Sequence, residues 1–170
     1  MKMHWRLKKI ISGGQTGADR AGLDFAIAHG IAHGGWCPQG RLAEDGMIDW
    51  RYRLKETPSP AYAQRTEWNV RDAEGTVIFS LSKNLVGGSK LTEELTRRYG
   101  RPCLHLSKMR TAKAAEKLEH FFVEHKIGVL NIAGPRALTE PEVGVFVKAV
   151  LEAWWKCAKI SKNARHPHDC

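Results

Sequence analysis

The stretch Ile10-Ile11-Ser12-Gly13-Gly14-Gln15-Thr16-Gly17-Ala18-Asp19 passes from an apolar pair, through a glycine-rich turn, into a helix-compatible segment. A strand that ends in such a turn and opens a helix sets unpaired backbone N–H groups and a positive dipole end at one point. Phosphate, or a similar oxyanion, suits that point. The pattern recurs downstream. The apolar run Thr76-Val77-Ile78-Phe79-Ser80 is followed, after a polar spacer, by Val86-Gly87-Gly88-Ser89-Lys90, which also opens a helical stretch. Two such turns in one short chain point to a phosphorylated, nucleotide-like ligand.

Working outward, strand-like runs near residues 9–12, 31–35, 76–80, 102–106 and 129–132 alternate with helical patterns. This alternation predicts an α/β fold: a single doubly wound domain, its mostly parallel sheet of five or more strands covered by helices on both faces. Ligands of such sheets bind at the carboxyl ends of the strands, where strand order reverses. A strand order of 2-1-3-4-5 would put both glycine turns beside that crevice. The first helix presents Ala18, Ala21, Gly22 and Phe25 on one face, and Gly30 stops it. The second is expected to take Ser59 as its cap and Pro60 as its first residue. Its face Tyr62, Arg65, Thr66, Asn69 and Asp72 is polar, which fits a pocket wall; the alternative is plain surface, with packing through Trp68 and Val70. The last helix is expected to open with the capping box Thr139-Glu140-Pro141-Glu142 and to bury Val143, Phe146, Val147, Val150, Leu151 and Trp154. Between them, residues 36–57 have no clear period. A loop of that length is functional or disordered, and Trp36 and Trp50 argue against disorder.

The 170 residues suffice for one domain, read as 1–160 with a basic tail at 161–170. An apolar fraction of 42% and a charged fraction of 26% are those of an ordinary globular chain. No run of about 18 apolar residues predicts a membrane span, and no apolar stretch behind Met1 predicts a signal peptide. Cys37, Cys103, Cys157 and Cys170 form no C-x-x-C pair, which removes zinc ribbons and thioredoxin-type chemistry and fits a reducing cytoplasm. The net charge of +9 gathers largely at the two ends, and attraction of an anionic small molecule accounts for it. Nucleic acid is disfavoured; a basic tail acting as an interaction module is a weaker reading. A homo-oligomer is compatible with the sequence.

Ser12-x-Gly14-x-x-Gly17 falls one residue short of G-x-G-x-x-G, and the second strand ends in Gly35-Trp36-Cys37 where a dinucleotide site needs a carboxylate. NAD and FAD are therefore disfavoured, and no P-loop motif is present. In the second turn Ser89 can cap the helix or donate to phosphate. Glu93 and Glu94 suit the helix dipole, and a catalytic role for either competes evenly with that reading. A third turn, Ala133-Gly134-Pro135-Arg136, offers close backbone approach and a guanidinium fork. His29 and His33 straddle Gly30, so no H-x-x-x-H metal site is expected. The candidate ligand-binding set is Gly13, Gly14, Gln15, Thr16, Gly17, Asp19, Arg65, Asn69, Gly87, Gly88, Ser89, Thr92, Gly134 and Arg136.

The run Ile10 to Asp24, then Gly34-Gly35-Trp36-Cys37-Pro38, Glu44-Asp45-Gly46, Arg65-Thr66-x-x-Asn69-Val70-x-Asp72, Gly87-Gly88-Ser89 with Thr92, and Asn131-x-Ala133-Gly134-Pro135-Arg136 occur in one order. That set resembles the family called "putative molybdenum cofactor carrier", the circularly permuted YpsA-like branch of the SLOG superfamily. The resemblance spans about Lys9 to Trp154. It implies a Rossmann-like fold and a pocket for a phosphorylated or nucleotide-derived ligand. The carrier name implies molybdopterin, or molybdenum cofactor, as cargo. Cys37 then has three readings: reactive thiolate, soft ligand for molybdenum, or structural thiol. The wider superfamily includes nucleoside-monophosphate phosphoribohydrolases with P-G-G-x-G-T-x-x-E. Here Val86, Lys90 and Leu91 replace the proline, third glycine and threonine, while Gly87, Gly88 and Glu94 align. Two functions follow: a carrier or sensor, or an enzyme cleaving an N-glycosidic bond with Glu94 as catalytic carboxylate and Arg65 or Arg71 holding phosphate or ribose.

Overall fold

In the computed structural model, which describes residues 7–163, strand β1 (Lys9–Ile11) feeds helix α1 (Ala18–Ala28) and strand β2 (Ala32–Gly34). The aperiodic segment folds into four short strands, β3 (Trp36–Cys37), β4 (Leu42–Ala43), β5 (Gly46–Met47) and β6 (Lys55–Glu56). Helix α2 (Tyr62–Asp72), strand β7 (Gly75–Ser80), helix α3 (Gly87–Arg98), strand β8 (Cys103–Ser107), helix α4 (Ala114–His125), strand β9 (Val129–Ala133) and helix α5 (Val143–Asn163) follow. The boundary expected at residue 160 falls within α5, and 164–170 lie outside the described residues. Among the described residues no helix is long and apolar enough to cross a membrane.

The central sheet is five-stranded and wholly parallel, but its order is β2-β1-β9-β7-β8. The expected order 2-1-3-4-5 is corrected: the last strand inserts between the first and β7. Burial explains the placement. β7 is buried along its whole length and β9 at all but its first residue, as central parallel strands are. β2 and β8 carry exposed positions and take the edges. Right-handed crossovers then decide the faces. The connections through α1 and α4 step one way along the sheet and share a face with α5; those through α2 and α3 step the other way and cover the opposite face. On the first face Ile10, Val77, Phe79, Leu130 and Ile132 meet Phe25, Phe122, Val147, Leu151 and Trp154.

Two helix starts differ from expectation. α2 begins at Tyr62 with Ala61 as its uncapped N-cap, because Ser59 Oγ accepts the Ala61 N–H while Gln64 Oε1 accepts the Ser59 N–H. α5 begins at Val143, and the N–H groups of Thr139 and Glu140 both turn back to the Arg136 carbonyl. The Thr139–Glu142 box thus belongs to the turn, not to the helix.

Order in the 36–57 segment comes from one side chain that pattern analysis passed over. Arg41 is 2% exposed, with left-handed backbone (φ 54°). Its Nε donates to Ile48 O (3.0 Å), Nη1 to Leu54 O (3.2 Å), and Nη2 to Asp49 O (2.9 Å) and Tyr52 O (3.0 Å). Its guanidinium also lies 4.2 Å from the Trp50 ring centroid. A guanidinium has five donors in a fixed fork, so it can satisfy several carbonyls that no strand ladder reaches. Around it Leu23, Cys37, Ile48, Tyr52 and Leu54 make a second small core. Arg41→Met should leave these carbonyls without donors and cost about 3 kcal/mol or more, since a buried unpaired polar group costs roughly 1–3 kcal/mol. Thermal unfolding of the variant checks this; an unchanged melting temperature would show that the segment is held by other contacts.

Candidate functional site

Three turns converge at the carboxyl edge of the sheet on a cavity of about 320 Å³. Its wall takes Gln15 from the first glycine turn, Ser80 and residues 84–89 from the β7–α3 connection, Gly134, Pro135 and Arg136 from the turn after β9, and Tyr62 and Arg65 from α2. Thr139 and Glu140 complete it. The size is near the low end for a site that encloses one small ligand. The third turn is central because β9 lies between β1 and β7. A wider depression of about 630 Å³ lies between β8 and α4, shares no residue with this cavity and contains no glycine turn.

The first turn is filled from within. Asp19, 3% exposed, accepts the N–H groups of Gln15 (3.3 Å) and Gly13 and takes Arg65 Nη1 at 3.0 Å. Burial pushes its carboxyl above the ordinary carboxylate value, with the Arg65 guanidinium and the two amides opposing that shift. Ser12 Oγ accepts the Gly14 N–H, and Gln15 Oε1 accepts that of Thr16. The N–H groups of Gly13, Gly14, Gln15 and Thr16 therefore meet acceptors of the chain itself. Gly13 lacks a side chain for the same reason: a Cβ there would overlap the Arg65 guanidinium. Thr16 Oγ1 donates to Glu44 Oε1 and accepts the Ala137 N–H. Gly14 packs on Leu54, and Gly17 packs on the Pro135 carbonyl. Of the six candidates in this turn, Gln15 alone lines the cavity.

The second turn is open. α3 begins at Gly87 after Val86, with no side-chain cap. The N–H groups of Gly87, Gly88 and Ser89 meet no acceptor among the described residues; Lys90 N–H is the first to turn back, to Val86 O at 3.4 Å. A Cβ placed on Gly88 would meet nothing within 4 Å. Arg65 contributes a buried Nε without a hydrogen-bond partner. Arg136 is 49% exposed in its side chain, and its Nε lies 3.5 Å from Glu44 Oε2. Ser89 and Gly134 line the cavity. Thr92 is buried instead and donates back to Gly88 O (2.9 Å). Glu94 is exposed on α3, outside the cavity wall. The carboxylate within it is Glu140, whose Oε2 accepts the Leu81 N–H at 2.6 Å.

Asn69 serves the backbone. Its Nδ2 donates to Trp36 O (2.8 Å) and Arg65 O (2.9 Å), and its Oδ1 accepts the Trp36 N–H (2.9 Å). Trp36 is further held by Asp72, at 2.7 Å from its indole N–H, and by Trp68, ring to ring at 4.7 Å. The polar face of α2 therefore divides: Arg65 borders the cavity, while Asn69 and Asp72 lock β3. Nothing in the spacing along α2 separates these roles, because Trp36 arrives from a distant part of the chain. Arg71 pairs with Asp72 (2.7 Å) on the surface. Cys37 is fully buried, and burial pushes its thiol above the ordinary value, which supports the structural reading. Glu44, within Glu44-Asp45-Gly46, and Ser80, at the end of β7, carry no local signal that marks them for this region.

The profile of the family described as "Circularly permutated YpsA SLOG family" matches residues 10–155. The crystal structure of a protein named "Putative molybdenum carrier protein", from Syntrophus aciditrophicus SB, is similar at 51% identity and a TM-score of 0.85, over 87% of this chain and 94% of that one. A search of curated proteins returns no match.

Asn69→Ala should strip both Trp36 backbone groups of their partners. The expected outcome is a loss of about 2–4 kcal/mol, on the order of two unsatisfied buried groups. Calorimetric unfolding measures it; a near-normal melting temperature would contradict the locking role.

Proposed function

The chain belongs to the circularly permutated YpsA SLOG family, and we propose that it is a carrier or sensor binding a phosphorylated, nucleotide-like small molecule, with molybdenum cofactor as a candidate cargo. The observation that carries this reading is the open start of α3. Three consecutive backbone N–H groups without acceptors among the described residues stand in the wall of a cavity that Arg65 and Arg136 also line. Amides at a helix N-terminus, reinforced by guanidinium groups, favour a phosphate. The solved relative named for molybdenum carriage supports the cargo choice.

Molybdopterin would place its phosphate at Gly87, Gly88 and Ser89, with Arg65 and Arg136 alongside. Among the described residues no group of three or more His, Cys, Asp or Glu could hold a metal ion. The metal of such a cargo would thus keep the cargo's own ligands, and the protein would grip the organic part.

The glycosidase reading needs a carboxylate at the sugar. Glu94, the aligned position, is exposed and off the cavity wall, so the carrier reading is preferred. Assay for free base released from nucleoside monophosphates separates the two: sustained release favours the enzyme.

Gly88→Asp tests the binding reading directly. A Cβ at Gly88 meets open space, so the fold should tolerate the change. The new carboxylate would occupy the anion's place and repel it. Titration calorimetry with molybdopterin should show affinity falling by roughly 100-fold or more, as expected for one repelled charge at a phosphate grip, with little change in melting temperature. Undiminished affinity in the folded variant would remove the α3 terminus from the site.

A further inference from the structure

Glu140 sits oddly in a phosphate-binding cavity. It is half-buried, it lines the same 320 Å³ space as the start of α3, and a carboxylate repels phosphate. Among the described residues it has no Lys or Arg partner in an ion pair, whereas Asp19 pairs with Arg65 and Glu44 with Arg136. It is nonetheless held in place. Oε2 accepts the Leu81 N–H at 2.6 Å, and its own N–H returns to the Arg136 carbonyl at 3.0 Å. Among the described residues no donor meets Oε1. A fixed carboxylate is an acceptor only, and a strong one for two adjacent N–H donors on a planar ring.

We infer that the cavity is bipolar: the α3 terminus takes the phosphate, and Glu140 reads the donor edge of a 2-amino-4-oxo-pyrimidine ring, the shared edge of guanine and pterin. In that ring a ring N–H and an exocyclic amine point the same way, and a carboxylate matches both. Adenine presents a bare ring nitrogen there and would meet Glu140 acceptor to acceptor. The role of Glu140 in bracing the turn through Leu81 uses one lone pair of Oε2; the second lone pair of Oε2 and both of Oε1 remain for two adjacent donors. The inference rests on the anion reading of the α3 terminus, and the two fail separately.

The test is titration calorimetry of the full chain with GMP, IMP, AMP and a pterin phosphate, each repeated with pyrophosphate as competitor and with E140Q. Glutamine keeps an oxygen for the Leu81 N–H and turns its amide N–H₂ toward the ligand, so the fold survives while the acceptor is lost. GMP or pterin phosphate should bind about tenfold or more tightly than AMP, the discrimination expected of one bidentate edge contact. IMP, lacking the exocyclic amine, should fall between. In E140Q the preference should shrink to within about threefold while pyrophosphate still competes, since one bidentate contact has gone. A pterin phosphate that outbinds GMP assigns the edge to pterin; the reverse assigns it to guanine. Equal binding of GMP and AMP by the unaltered protein, or an unchanged preference in E140Q, overturns the inference and leaves the anion site standing. Failure of pyrophosphate to compete with any ligand overturns the anion reading, and this inference with it.

Discussion

A carboxylate of the chain itself occupies the place where the first glycine turn would take an anion. Asp19 reaches back from the first turn of α1, satisfies the amides of Gly13 and Gln15, and is neutralised by Arg65 from α2. Removing one member of such a buried pair costs about 3–5 kcal/mol, because the other is left charged in a poorly solvated place. The pair therefore ties β1, α1 and α2 together, and it also divides the labour between the turns. The first is a closed structural joint, and the second keeps its donors free. Arg65 belongs to both: Nη1 is committed to Asp19, while the residue also lines the cavity beside the second turn.

The 36–57 segment is the second support of the same region. A knot of carbonyls around Arg41 shapes it, and the Tyr52 hydroxyl ties it to Asp24 of α1 at 2.8 Å. From this platform Glu44 bridges the first and third turns: its carboxylate accepts from Thr16 and from the Leu138 N–H, and it lies beside Arg136. The segment thus sets the position of the third turn without lining the cavity. Its order rests on these polar contacts together with the small apolar cluster of Cys37, Ile48, Tyr52 and Leu54, whose members follow no helical or strand period.

The departures from P-G-G-x-G-T-x-x-E acquire a physical sense in this setting. Gly87 and Gly88 preserve the open amides. Lys90 replaces a glycine two residues beyond them and lies exposed, and Glu94 is exposed and outside the cavity wall. What aligns with the phosphoribohydrolase motif is the pair of glycines at the uncapped start of α3; the aligned carboxylate, Glu94, has no place in this cavity wall.

The alternation of strand and helix, the parallel sheet, the core stripe of α5 and both glycine turns were legible in the residues, because each depends on a local period or on a few neighbouring positions. The third turn was legible too, through Gly134 and Arg136. Strand order was not: β9 enters the centre because its two faces are both buried, and which neighbours it separates depends on crossovers between remote segments. Nor could the residues show which glycine turn was open. A backbone amide is free or satisfied according to what reaches it: in the first turn Ser12, Gln15 and Asp19 fold back onto the amides, Arg65 holds Asp19 there from far along the chain, and the Ala18 N–H meets Pro135 O. The same holds for Asn69, whose spacing on α2 matches that of Arg65 while its partner, Trp36, lies 33 residues away. Local pattern determined the elements and their sequence along the chain; only tertiary contact decided strand order and which backbone donors stay free, because hydrogen-bond satisfaction is settled by proximity in space.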